Sequence, residues 1–465
     1  MRFVALAHRW LGMVGCLLFI AWFASGIVMM YARMPGVEPG ERLARAQPID
    51  LANATLSPGE AAARQHLTAQ RVVAAMLLGR PVYRFQDRAR PMVVFADTGE
   101  RFSGFTPEAA MAEAARLTSR EPAPLRYDTR ITDPDQWTLQ ARALLPMHRI
   151  AMNDADGTVL YLSDVNAQLA VRTTAKARRV AYAGAVLHWL YFTPFRKHGP
   201  LWNQSIIWLS LAGSVMCLLG LVWGVYVGIR SPYGGWMKWH HYSGLLFGVI
   251  SFTWVFSGLL SMDPWDWHPG TGPTRAQREA FSGGPLRLDR VTLDDLRAHM
   301  QRQPGSAGPK EIEIAQFRGE PRLFVDDQPA VSISREVLSA TARAAMPGVP
   351  VADETWLESY DSYYYGRDDE RPLPVLRVRY ADAAGTWLYV DPARGAILRK
   401  EERLSRLNRW LYHGLHSLDF PWLYNRRPLW DIVVIVLSLG GIASAVTSLA
   451  PAWRRLQRHA QRLYT

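Results

Sequence analysis

Cysteine is almost missing from this sequence: there are two in 465 residues, Cys16 and Cys217, each inside a long apolar run. That excludes a disulfide framework, and without a C-x-x-C-H motif it excludes covalent haem attachment as well. No glycine-rich nucleotide-binding loop is present, so neither a flavin nor a nicotinamide domain is encoded. Acid is missing from defined stretches: residues 1–37, 201–262 and 432–465 contain no Asp or Glu, although the chain carries 41 of them. A carboxylate relay through a membrane therefore has no material here.

What the same stretches do hold is hydrophobic length. Residues 11–31, 206–229, 242–262 and 432–450 are each apolar enough and long enough for about 20 helical residues of bilayer core. The first is longer than the apolar part of a signal peptide and reads as a retained span. Arg2 and Arg9 precede it, Arg230 and Lys238 lie between the second and third, and Arg454, Arg455, Arg458 and Arg462 follow the fourth. Basic flanks resist translocation, so both termini and the short loop are expected in the cytoplasm of a bacterial inner membrane, with the two long segments in the periplasm. Much of the net charge of +12 is then topology rather than a nucleic-acid surface.

Half of the sequence is written twice. LHWLYFTPFRKHGPLWNQSIIWLS, from Leu187, lies over LHSLDFPWLYNRRPLWDIVVIVLS, from Leu415, with ten of 24 positions identical and no gap. The same offset of 228 superposes PMHRIAMNDADGTVLYLS, from Pro146, on PVLRVRYADAAGTWLYVD, from Pro374. An offset of 232 superposes HRWLGM at His8 on HHYSGL at His240, and WFASGIVMM at Trp22 on WVFSGLLSM at Trp254. Two spans per copy give both copies the same orientation, so a pseudo-twofold axis along the membrane normal is expected, with matched histidines approaching from opposite sides.

The expected fold class is an α-helical membrane protein of two tandem span-domain-span repeats with two extracytoplasmic α+β domains. The expected divisions are 1–31, 32–200, 201–229, 230–240, 241–262, 263–428, 429–450 and 451–465, of which 32–200 and 263–428 each combine an exterior domain with an interfacial segment. In the first long segment, SPGEAAARQHLTA and TPEAAMAEAARLT have helical periodicity with Ser57 and Thr106 as caps, around the strand-like YRFQDRARPMVVFADTGERF. In the second, TLDDLRAHMQRQ precedes the strand-like EIEIAQF, RLFVDD and AVSISRE. The reading is a helix-on-antiparallel-sheet unit used twice.

The H-R-W-L-G opening of the first span, the L-H steps before the second and fourth, the H-x-x-x-G opening of the third and the exterior strand pairs with D-x-G turns together resemble the PepSY-associated transmembrane family, in its iron-regulated branch. The resemblance covers essentially the whole chain. It implies PepSY-like periplasmic domains and two non-covalent b-type haems, each between two histidines. It further implies electron passage across the inner membrane to reduce Fe(III) held by a siderophore or another ferric chelate. The electron donor is left open: a cytoplasmic reductase, a quinol or a small reductant.

Such chemistry needs imidazoles at two depths. His8 and His240 occupy equivalent depths at the cytoplasmic ends of the first and third spans, and Gly12 and Gly244 follow at i+4, where a missing Cβ lets a flat macrocycle approach the helix. His188 and His416 each lie twelve residues before the proline that opens the next span, on the exterior side. His241 is an alternative to His240, and His413 an alternative to His416. His148, unmatched in the second copy, is a further candidate for contact with substrate or a propionate. Trp265, Trp267 and Tyr363, Tyr364 and Tyr365 read as an interfacial belt. Two other classes remain open at this stage: a membrane-anchored binding or regulatory module without redox chemistry, and a metal-transport accessory using the same histidines.

Overall fold

The computed structural model describes residues 1–86, 91–118, 125–301, 308–329, 332–366 and 370–463. Two compact units emerge, one of Met1–Met34, Lys176–Pro269 and Leu404–Thr465, the other of Pro35–Ala175 and Gly270–Arg403.

The first unit is a helical bundle. Helices Arg2–Met29, Gly199–Val227, Gly235–Leu260 and the apolar part, Leu429–Arg458, of a longer last helix are each long and apolar enough to cross a membrane. The chain is a membrane protein. Large apolar side chains such as Val14, Leu17, Val225, Leu246 and Leu439 point outward, as expected where lipid rather than protein surrounds a helix. The first helix begins nine residues ahead of its apolar run, because polar residues at a span's end continue the same backbone pattern. The last runs on to Leu463 through Pro451, so the expected basic tail is helical up to there, and residues 464–465 lie outside the described residues.

Helices one and three each pack on two and four. Along the diagonal between one and three, Phe23 and Trp254 meet with ring centres 5.7 Å apart. The bundle core is Phe19, Phe23, Met216, Trp254, Val255, Trp430, Val434 and Ala445. Gly441 is required here, since a Cβ on it would stand 2.6 Å from the Phe23 ring. Two shorter helical stretches complete the bundle. Ala175–Ala181 passes through a π-helical turn, Tyr182–Val186, to reach His188; Arg403–Asn408 passes through another, Arg409–Gly414, to reach His416. Such widened turns re-aim the side chains that follow them, and they concentrate at functional positions.

The second unit is β-rich, with helices on antiparallel sheets, so an α+β region accompanies the bundle. From the first long segment come β1 (Arg71–Leu77), β2 (Arg80–Gln86), β3 (Met92–Phe95), β4 (Arg126–Ile131), β5 (Met147–Ala151), β6 (Val159–Ser163) and β7 (Leu169–Thr173). The second contributes β8 (Ile312–Phe317), β9 (Glu320–Val325), β10 (Gln328–Pro329), β11 (Val351–Leu357), β12 (Val375–Tyr380), β13 (Trp387–Asp391) and β14 (Ala396–Glu401). Ser57 caps Pro58–Arg64 through a capping box with Glu60, and the Ala109 N–H donates to Thr106 Oγ1 at 3.2 Å at the start of Pro107–Thr118, as the sequence indicates. Parts of three expected elements, at 87–90, 302–303 and 330–331, lie outside the described residues, and the rest of AVSISRE is not a strand: residues 332–334 are irregular and Ser334 caps the helix Arg335–Ala344.

Each long segment is expected to combine a domain with an interfacial segment. Residues 176–200 and 404–428 belong with the helices, not with the sheets. The remaining parts share one six-stranded sheet, ordered β10-β9-β8-β1-β2-β3, in which Val72 faces Ile314 and Ala74 faces Ile312. Each segment also makes a four-stranded sheet of its own, β4-β5-β6-β7 and β11-β12-β13-β14. The joint is hydrophobic: Val72, Ala74, Tyr83 and Phe85 pack with Leu296, Ile312, Ile314 and Val325 in a single core. Tyr364, expected in an interfacial belt, is fully buried and stacked on Tyr389 at 5.2 Å.

Candidate functional site

The bundle brings its histidines together in two pairs. His8 on the first helix faces His240 on the third, ring centres 6.1 Å apart and planes at 28°. His188 faces His416 across the two short hairpins, also at 6.1 Å, with planes at 72°. Of the alternatives, His413 packs its ring on Tyr412 at 4.5 Å, and it is His416 that meets His188. His241 points its Nε2 at the Gly228 carbonyl at 2.9 Å, leaving His240 to meet His8.

Every paired imidazole is anchored through the same nitrogen to a backbone carbonyl of a neighbouring helix. His8 Nδ1 lies 2.8 Å from Met216 O and His240 Nδ1 lies 2.9 Å from Ser444 O. His188 Nδ1 lies 3.1 Å from Trp22 O, and His416 Nδ1 lies 3.0 Å from Trp254 O. A carbonyl only accepts, so these partners assign the tautomer protonated at Nδ1 and put the lone pair on Nε2. This is how ligating histidines are usually oriented and made more basic. At the second pair a hydroxyl joins in: Ser25 Oγ and Ser257 Oγ stand 3.1 Å from the Nδ1 of His188 and His416, and each hydroxyl also donates to a carbonyl of its own helix. Desolvation, with His416 opposite, holds the His188 imidazole down to about 4, so the ring is neutral and can coordinate.

The spacing suits one metal ion between each pair. Two imidazole nitrogens about 2.0–2.1 Å from a shared ion, with each ring centre about 1.1 Å behind its nitrogen, put the centres about 6.3 Å apart. A cavity of about 380 Å³ opens around His8 and His240, lined among others by Gly12, Gly244, Met216 and Ser444. A Cβ on Gly244 would meet nothing within 4 Å, and the nearest atom to one on Gly12 would be Met216 Sδ at 3.9 Å, so both glycines face open space. The Ser444 hydroxyl is buried and has no hydrogen-bond partner among the described residues. Gly26 and Gly258 serve the other pair differently, letting His188 Cε1 and His416 Cε1 come to 3.6 and 3.4 Å of where a Cβ would be.

His148 does not belong to either pair. It is 1% exposed, within a network in which Tyr127 Oη lies 3.0 Å from Nδ1 and Asp164 Oδ1 lies 3.0 Å from Nε2. Both nitrogens are used, so the expected contact with substrate or a propionate gives way to a structural role in the sheet β4-β5-β6-β7.

Sequence reasoning missed four contributors. Gly220 on the second helix lies against His8, a Cβ there standing 2.5 Å from Cε1. Ser25 and Ser257 were signalled by their place in the matched WFASG and WVFSG words. The buried pair Arg409–Asp419, which ties the second hairpin together at 3.3 Å, had no local signal. Among the described residues no group of three or more His, Cys, Asp or Glu is placed to hold a metal ion. No family model and no curated protein matches this chain, and its candidate site is therefore defined by these two imidazole pairs alone.

Proposed function

We propose that the protein is an inner-membrane oxidoreductase that holds two b-type haems, His8 and His240 ligating one, His188 and His416 the other, and carries electrons to a ferric siderophore or other ferric chelate in the periplasm. The observation that carries this reading is the identical 6.1 Å spacing of two imidazole pairs whose Nδ1 atoms are all tied to carbonyls. A bound haem supplies a one-electron carrier at each depth, which no side chain in the spans can.

The chain's own residues do the rest. Met216, Ser444, Trp22 and Trp254 carbonyls fix ring orientation and tautomer, so Nε2 is presented without reorganisation. Gly12 and Gly244 keep open the space a macrocycle fills. Along the first helix, residue 8 and the Trp22–Ser25 anchor of the other pair are about 23 Å apart at 1.5 Å per residue, with Phe19, Phe23 and Trp254 packed between. That separation supports reading one pair near each bilayer face. The product, Fe(II), suits hard oxygen donors less well than Fe(III), so reduction by a quinol or another donor releases the metal.

A duplicated half explains the symmetry. Met216 and Ser444 differ by the same 228 residues as His188 and His416, and Trp22 and Trp254 by the same 232 as His8 and His240. Both hairpins contain a π turn and a left-handed leucine, Leu190 and Leu418. We read the β-rich segments accordingly as paired PepSY-like domains outside the membrane, in line with the basic flanks of the spans.

The test is a pyridine haemochrome assay on detergent-purified protein. Two b haems per chain is the expected ratio; a ratio near zero after haem-replete expression overturns the reading and favours a binding module.

A further inference from the structure

The His8–His240 cavity has one edge that its imidazoles do not explain. Arg9 and Arg455 both line it, the first exposed and the second half-buried. They sit on the first and fourth helices, which pack together, and they are close enough for Arg455 to feel the charge of Arg9. Neither makes an ion pair among the described residues, and residues 1–37, 201–262 and 432–465 contain no Asp or Glu. Two like charges at one cavity edge repel, and an anion bound between them offsets that repulsion.

The arrangement is one-sided. Under the 232-residue offset the position matching Arg9 is His241, whose Nε2 is committed to the Gly228 carbonyl. Under the 228-residue offset the position matching Arg455 is Val227, and Lys238 on the third helix does not line the cavity, so neither matched position carries an arginine. A flat ligand with its carboxylates on a single edge matches an asymmetric rim of this kind, and guanidinium is the side chain whose geometry best pairs with carboxylate.

We propose that Arg9 and Arg455 are the carboxylate clamp of this cavity: they hold the propionate edge of the macrocycle and turn it toward the groove between the first and fourth helices. The inference rests on the reading of the cavity as a haem site. A macrocycle between His8 and His240 could otherwise rotate about the axis joining the two nitrogens, and the clamp selects one orientation.

The experiment is haem transfer from full-length, detergent-purified protein to excess apomyoglobin, comparing wild type with Arg9→Gln/Arg455→Gln and Arg9→Lys/Arg455→Lys. Wild type and the glutamine variant are also loaded with iron protoporphyrin IX dimethyl ester, which has no free carboxylate. The glutamine variant is expected to lose one of its two haems about ten- to a hundredfold faster, the other at the wild-type rate, with the lysine variant in between. With the diester the two proteins should release alike. Equal release of native haem by wild type and the glutamine variant overturns the clamp and leaves the arginines to lipid phosphates, while the haem reading stands. A His8→Ala protein that keeps both haems removes the reading underneath.

Discussion

Gly220 offers the sharpest test of the geometry at His8. A methyl group there would stand 2.5 Å from Cε1 and 2.9 Å from Nδ1, where ordinary contact begins near 3.4 Å, so the ring must retreat by about 0.9 Å. That shift strains its 2.8 Å bond to the Met216 carbonyl. Ligand distances at a metal hold within about 0.2 Å, so on the proposed haem reading a shift several times larger would take His8 out of coordination. Overpacking of this kind costs about 1–3 kcal/mol of stability, too little to unfold a typical domain. Gly220→Ala is therefore expected to purify as a folded protein whose haem ratio falls from two toward one, read by pyridine haemochrome, with the surviving haem spectrally unchanged. Gly224→Ala, one turn further along the same helix, meets only a flexible Leu245 methyl at 3.2 Å and should keep both haems. Two haems with an unaltered spectrum in Gly220→Ala would refute the placement of His8 against this helix.

Two further outcomes bear on the other pair. His188→Ala should lose one haem and all reduction of an added ferric siderophore, while the haem at His8 and His240 remains reducible by dithionite; unchanged haem content counts against the pairing. Asp419→Asn leaves the buried Arg409 guanidinium without its counter-charge, a change that costs about 3–5 kcal/mol, so the hairpin carrying His416 should loosen and thermal stability fall together with occupancy of that site alone.

Much of the bundle was legible because membranes impose a strong local code. Apolar length marks the helices, and the duplicated words marked His8, His240, His188 and His416 as partners before any contact was known. What the code does not carry is which atom each residue meets. The repeat favours His416 over His413, whose matched position is Ala185, but no residue pattern announces the π turn Arg409–Gly414 that leads to it. Gly220 was unreadable for the opposite reason: a glycine in a membrane helix serves close packing in general, and only the tertiary arrangement says that the neighbour is an imidazole. His148 misled because exposure cannot be read from a single polar letter in a strand. The pairing of β1 with β8 was not legible either, since strand pairing across such a separation leaves no trace in either local sequence.

That pairing also has a history in time. The last residue of β1 is Leu77 and the first of β8 is Ile312, so at about 5–20 residues per second the ribosome needs roughly 12–47 s to deliver the partner strand. Throughout that interval the hairpin of β1 and β2 presents Val72, Ala74 and their unpaired backbone groups with nothing alongside. An open apolar edge of this kind is a template for any other strand nearby. The protein's most vulnerable moment thus falls during its own synthesis, after the first β-rich segment has emerged and before the second has followed it, and a chaperone guarding that edge would have nothing left to bind once β8 arrives.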